Sequence, residues 1–401
     1  MESSRKKVNF IANDNITTGL YGLNDGRKKK KKEKKRRYRI RIFLMLLAFL
    51  VIGVFIFFRI MENKGRKGIG NINRIGATLS QNVNPFGDNV IFYDGTTLHC
   101  ISAAGGNEWS YQIGTNADYN STDKKIVAWS GNDIYILNEK GRLIYNNKMT
   151  DTIQFASAGN EYVAVFIGET DNGVISIINS SGQTIDNITV NNQTLLNIGF
   201  FDAAINASSN QKTELMWVMG VNTTGNVIST ELQTFQPGKL STGKSTLGEH
   251  IAYRVYDDNG ILNLATTREI MHFRYRIVED SPSTLIYGYT VEDVKKIGNT
   301  QHILLIPAIE QGTGGMINNI RIMYGNMDRM LHLPSSCITA KLGTRSVYAF
   351  SNSAVYASRY GDTTFETFAL PINISAVLGM ITDNRVVVAS GSDIYIIELP
   401  M

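Results

Sequence analysis

Two hydrophobic patterns divide this chain. Residues 42–58 are seventeen consecutive apolar residues, whereas beyond residue 75 apolar positions recur in short β-branched and aromatic runs separated by Gly, Asn and Asp. The first pattern predicts a helix of about 25 Å at ~1.5 Å per residue, extended by Ile60 and Met61 toward the ~30 Å of a hydrocarbon core. Fourteen of its residues are Leu, Ile, Phe or Val, each contributing roughly −0.3 to −0.6 kcal/mol near a bilayer centre. A transmembrane helix over residues 42–61 is therefore expected. In the second pattern no stretch holds a 3.6-residue stripe over about 11 residues, and the turn residues fall too often for helices. That region is predicted to be all-β.

The β region resolves into eight groups, each an apolar strand, a tight turn and a second strand. Residues 90–93 turn at Asp94-Gly95 into 97–101, and residues 126–129 turn at Ser130-Gly131-Asn132 into 133–137. Residues 162–166 precede 174–178, 215–219 precede 226–230, and 251–256 reach 261–266 through Asp257-Asp258-Asn259-Gly260. The remaining groups are 302–307 with 319–323, 345–350 with 354–358, and 385–389 with 393–398. Two of them are near copies: Gly131-Asn132-Asp133-Ile134-Tyr135-Ile136 and Gly391-Ser392-Asp393-Ile394-Tyr395-Ile396. The second strands start about 42 residues apart on average, the period of a β-propeller whose small sheets bury both faces against their neighbours. Seven or eight blades are predicted, with a multi-sandwich array as the structural alternative. The last group runs out of chain before its blade is full, and an open strand edge invites pairing with other chains. Residues 75–79 are predicted to supply the missing strand and close the ring.

Charge divides the chain at the same place. Arg27, Lys28 to Lys32, Lys34, Lys35, Arg36, Arg37, Arg39 and Arg41 are twelve cations ahead of the apolar run, against Arg59, Lys64, Arg66 and Lys67 behind it. The larger cluster is predicted to stay in the cytoplasm, which makes the apolar run a signal anchor and puts the β region outside. A cleaved signal peptide is the rival reading, but no Ala lies between Ala48 and Ala77 to form an A-x-A cleavage site. Four segments follow: a disordered basic tail over 1–41, the helix, a Gly-, Lys- and Asn-rich linker over 62–75, and the propeller over 76–401. The formal charge of +5 hides a sign change, because residues 68–401 hold 21 Lys or Arg against 30 Asp or Glu. A net −9 on the outer domain argues against nucleic-acid binding, while the basic tail would attract anionic lipid. Two cysteines, Cys100 and Cys337, cannot make a disulfide framework for a domain of this size, a usage that suits a bacterial envelope protein.

The segment Gly105-Gly106-Asn107-Glu108-Trp109 resembles the turn-and-Trp repeat of quinoprotein-like (PQQ-like) propellers, and residues 141–145 and 361–365 look like degenerate copies of it. With its basic tail, single span and outer propeller the chain resembles a family of bacterial single-pass membrane proteins, a resemblance that implies architecture and no particular activity. Adjacent cysteines for stacking a quinone cofactor, which such a resemblance would also imply, are missing.

Few residues suggest chemistry. The five histidines, His99, His250, His272, His302 and His332, show no His-x-His or His-Glu-x-x-His spacing. Gly238-Lys239-Leu240-Ser241-Thr242-Gly243-Lys244-Ser245 has P-loop spacing, but a phosphate cradle needs a strand before it and a helix after it, and here a β run follows. Asp257-Asp258-Asn259-Gly260 reads as a hairpin turn rather than a calcium loop. Trp109, Trp129 and Trp217 are expected in the blade cores. Residues 312–315 and 191–212 read as loop insertions. No catalytic, cofactor-binding or metal residue is nominated, and no cofactor is expected. The function expected is a membrane-anchored extracytoplasmic platform that binds an envelope protein or glycan. An envelope enzyme with its site in the propeller funnel, a quinone-dependent dehydrogenase or a sugar hydrolase or lyase, is the alternative.

Overall fold

A computed structural model describes residues 43–54, 68–205, 212–222, 228–239, 241–248, 250–308 and 315–400. The chain divides into two units, Met1–Gly65 and Arg66–Met401. In the first, residues 43–54 form one helix of twelve residues, about 18 Å long at ~1.5 Å per residue. Phe43, Leu44, Leu47, Phe49, Leu50 and Val54 are all exposed on it. Among the described residues no helix is long and apolar enough to cross a membrane. The structure thus shows a short helix where a transmembrane span over 42–61 was expected. Residues 55–61 of that expected span, the tail over 1–41 and linker residues 62–67 lie outside the described residues.

The second unit is an eight-bladed β-propeller, eight separate four-stranded antiparallel sheets. Blade one is Val83–Phe86, Asn89–Tyr93, Thr97–Ser102 and Asn107–Gln112 in that spatial order. Blades two to seven repeat this meander, starting at Ala117–Ser121, Ile153–Ala158, Thr194–Ala204, Arg254–Asp258, Tyr289–Ile297 and Thr339–Leu342. Blade eight takes Ala376–Thr382, Arg385–Ser390 and Asp393–Glu398 from the end of the chain and its fourth strand, Ile72–Thr78, from the beginning. Ile72 faces Ile397 and Ile75 faces Ile394 across that seam, and Arg74 Nη2 donates to Asp393 Oδ1 at 2.7 Å. The strand expected to close the ring does so, and it begins at Ile72 rather than Ile75.

Period-two alternation explains why the sheets stack into a ring. Along the second strand of blade two, Lys125–Ser130, Ile126 and Ala128 enter a cluster with Ile91 and Leu98 of blade one. Val127 and Trp129, on the other face, join Val163 and Val165 of blade three. Eight such clusters occupy the eight junctions between blades, and the last joins Val387 and Ile396 of blade eight to Val90 and Phe92 of blade one. Inner strands buried on both faces therefore read as unbroken apolar runs, whereas the outer strand Asn107–Gln112 is largely polar and exposed.

Three sequence expectations shift. The group 251–256 with 261–266 is the first and second strand of blade five, Arg254–Asp258 and Ile261–Ala265, whereas the other seven groups are second and third strands. The third strand of blade five is Glu269–Phe273, and the third strand of blade four starts at Ser229 rather than residue 226. Within the expected insertion over 191–212, Thr194–Ala204 is instead the first strand of blade four, and residues 206–211 lie outside the described residues.

Up-and-down order gives the ring two distinct faces. One carries the turns between first and second and between third and fourth strands, together with both ends of the described domain, where Gly70 N–H donates to the Glu398 carbonyl at 2.8 Å. We call it the terminal face. The opposite face carries the remaining turns and the links from blade to blade.

Candidate functional site

Most residues singled out in the sequence are structural. The P-loop lettering lies on a β-hairpin: Ser241–Thr246 is the fourth strand of blade four, with Lys244 opposite Gln233 and its Nζ 2.7 Å from Glu231. Its backbone N–H groups face a sheet rather than an anion. Asp257-Asp258-Asn259-Gly260 is the first hairpin of blade five, with Asn259 and Gly260 at positive φ and the Gly260 N–H donating to Asp257 Oδ1 at 2.9 Å. His99 lies 2.8 Å from Asp94 Oδ2 and 2.9 Å from Ser110 Oγ, stacked on Phe92. His302 is buried between the rings of Tyr324 and Tyr360. No group of three His, Cys, Asp or Glu side chains among the described residues is placed to hold a metal ion. Residues 309–314, which include most of the expected 312–315 loop, lie outside the described residues.

The tryptophans and the glycine-turn repeat explain each other. Trp129 and Trp217 are buried in blade junctions as expected. Trp109 instead reaches out from the outer strand of blade one onto the turn at Gly141 in blade two and donates its Nε1–H to the Glu139 carbonyl at 3.1 Å. Gly141 has φ +69°, and a Cβ there would sit 2.3 Å from the indole. Tyr145 repeats the arrangement on Gly182 of blade three. At these two places an outer strand interlocks with the glycine turn of the next blade, whereas Gly361 of the third copy has nothing within 4 Å of a Cβ position.

A cleft of about 480 Å³ opens on the terminal face between blades five and six. Ile261, Ile303, Met323 and Tyr324 are its less polar lining. Asp258, Asp280, Ser281, Asn299 and Thr300 are its polar lining. His272 also lines it, with Nδ1 2.6 Å from Asn263 Oδ1 and Nε2 3.0 Å from Thr284 Oγ1. Burial lowers the imidazole's pKa against the pull of Asp280 and Glu279, which favours the neutral ring. Arg274 Nε is 2.5 Å from Asp280 Oδ1. Asp258 accepts a hydrogen bond from the Asn259 amide at 2.9 Å and has no ion pair among the described residues. Lys and Arg are absent from the residues that line the cleft. Sequence reasoning named Asp258 and His272 but could not find the cleft, because its walls come from two different blades.

Several apolar side chains are exposed on the opposite face of blades four to six. Leu196, Ile228, Ile251, Tyr253, Leu285 and Tyr287 are exposed there, Tyr287 at 79% and Leu285 at 68%. The side chains beneath are held firmly: Val291 N–H donates to Tyr253 Oη at 2.6 Å, and Arg321 donates to the Leu285 carbonyl at 3.3 Å while its guanidinium lies 5.7 Å from the centre of the Tyr289 ring.

Solved structures of the same architecture come from distant proteins. The WD40 domain of SCAP from fission yeast matches with a TM-score of 0.54 at 8% identity, over 82% of this chain and 98% of that one. BamB from Moraxella catarrhalis matches at 0.50 and 9% identity, over 82% and 97%. Sqt1 from Saccharomyces cerevisiae matches at 0.50 and 12% identity, over 79% and 94%. No family model matches the sequence, and no curated protein matches it. At these identities the likeness concerns the fold, and the chain is similar to WD40 domains and to BamB as an eight-bladed all-β propeller.

Proposed function

We propose that this chain is a membrane-tethered, extracytoplasmic propeller whose opposite face is a docking platform for another protein of the cell envelope. The observation that carries the platform reading is the set of large apolar side chains exposed on that face of blades four to six, Tyr253 and Tyr287 among them. Water-exposed apolar clusters of that kind mark interaction surfaces, and tyrosine supplies large contact area at low entropic cost. This surface lies on the face opposite the one that carries Gly70 and Glu398. Membrane attachment rests on the apolar run over 42–58, on its exposed helix at 43–54 and on the twelve preceding cations. Those cations suit the anionic lipid of an inner leaflet. Interlocked glycine turns in blades one to three favour the quinoprotein-like resemblance within the propeller class.

A photo-crosslinking residue placed at Tyr287 in intact cells tests the platform, with Leu143 on the outer strand of blade two as the control position. A defined adduct at Tyr287 and none at Leu143 is the expected result. Equal labelling at both positions, or none at Tyr287 across growth conditions, would refute it. Protease treatment of intact cells carrying a C-terminal tag tests the topology, and a tag that survives until the membrane is broken would overturn the outside placement.

A further inference from the structure

The cleft between blades five and six has no part in that docking surface. Its lining carries carboxylates and no Lys or Arg: Asp280 is matched by Arg274, whereas Asp258 has no ion pair among the described residues, the nearby Lys296 ammonium being held on the Asn259 amide oxygen. A carboxylate partly withdrawn from water attracts a cation more strongly than one in bulk solvent, and the same field repels anions. Ile261, the cross-strand partner of Asp258, and Ile303 and Met323 of blade six offer methyl and thioether surface, and Ile303 and Met323 are anchored in the cluster between the two blades. The volume of about 480 Å³ lies within the range of small-ligand sites, ~300–1,000 Å³. We propose that this cleft binds an alkyl cation, an ammonium or guanidinium carried on an aliphatic stem, with the head at Asp258 and the stem along Ile261, Ile303 and Met323. Asn299 and Thr300 also line the cleft and supply oxygens for the remaining N–H groups of the head. A free polyamine and a lysine or arginine side chain of another protein share this chemistry.

The test uses the full chain in detergent micelles with its Met and Ile methyl groups isotopically labelled for NMR. Spermidine and the peptide acetyl-Gly-Arg-Gly-amide are the two cationic probes, and acetyl-Gly-Glu-Gly-amide and neutral maltotriose are the controls. Saturable shifts of the Met323 and Ile303 methyl signals are expected with a cationic probe at millimolar concentration. Asp258→Asn is expected to weaken that binding at least tenfold. Thr300→Lys, which places a cation inside the cleft, is expected to weaken it similarly, and unchanged methyl signals elsewhere confirm that both variants are folded. Response to spermidine alone assigns a free amine, response to the peptide alone assigns a protein side chain, and either supports the inference. Lack of response to both cations, an equal response to the anionic peptide or the sugar, or cation binding that both variants retain in full would overturn it. Failure here would leave the crosslinking result at Tyr287 untouched, so the two readings stand or fall separately.

Discussion

Replacing Ile75 and Ile394 by cysteine asks whether the first strand of the domain truly completes the last blade. The two residues face each other across the seam in blade eight, where Ile75 is 3% exposed and Ile394 fully buried. Directly opposed residues have Cβ atoms about 4.5–5.5 Å apart, close to the ~3.5–4.5 Å of a disulfide, so a small adjustment permits the bond. The bond would close a loop of roughly 320 residues, for which the chain-entropy relation gives a stabilisation of about 5–6 kcal/mol before strain is subtracted. With an unfolding entropy of about 2.1 cal/mol/K per residue over roughly 330 residues, that corresponds to an increase in Tm of about 8 °C. The native thiols compete little: Cys100 and Cys337 are buried and burial pushes both pKa values up to about 12. Thermal unfolding followed by circular dichroism, oxidised against reduced, measures the difference within one protein. An Ile75→Cys, Ile396→Cys pair, offset by two residues on the same face and about 7–8 Å apart, is the register control. A designed pair that does not oxidise, or that raises Tm no more than the offset pair does, would refute the closure.

Three further outcomes follow from packing and charge. Phe166→Ala removes a fully buried ring from the cluster between blades three and four and is expected to cost about 3–5 kcal/mol in urea unfolding; a loss under about 1 kcal/mol would contradict that packing. Gly141→Ala must adopt φ +69° and push into the Trp109 ring, whereas Gly131→Ala at φ +60° meets nothing within 4 Å. The first substitution should therefore destabilise clearly more than the ~1 kcal/mol of backbone strain expected for the second, and equal losses would argue against the Trp109 interlock. Burial lowers the pKa of His272 below its unfolded value, so the unfolded chain takes up the proton first as pH falls. Stability is then lost as pH drops below about 6.5 toward the folded pKa. His272→Gln should flatten that part of the acid slope in melts between about pH 7 and 5, and an unchanged slope would show that His272 is not its source.

Local pattern determined much of this architecture from the residues alone. Strands such as 126–129 and 162–166, their Gly- and Asn-rich turns and the repeat near 42 residues reflect interactions within a few positions of the chain. A one-domain ring of blades was legible for that reason, as were the buried Trp129 and Trp217. The apolar run and its basic flank are equally local, and they are what motivates the membrane tether. Tertiary structure decided the rest. Blade five was misaligned in the sequence because its third strand begins at Glu269 and shows only Ile270, Met271 and Phe273, a weaker apolar signal than the exposed Ile251 and Tyr253 of the link before it. Thr194–Ala204 read as an insertion because Asn and Gln precede it. The count of eight and the cleft that joins Asp258 to Met323 arise from stacking one blade on the next. No single blade holds that pair, so no stretch of sequence could display it: only the packing of blade against blade brings such residues together.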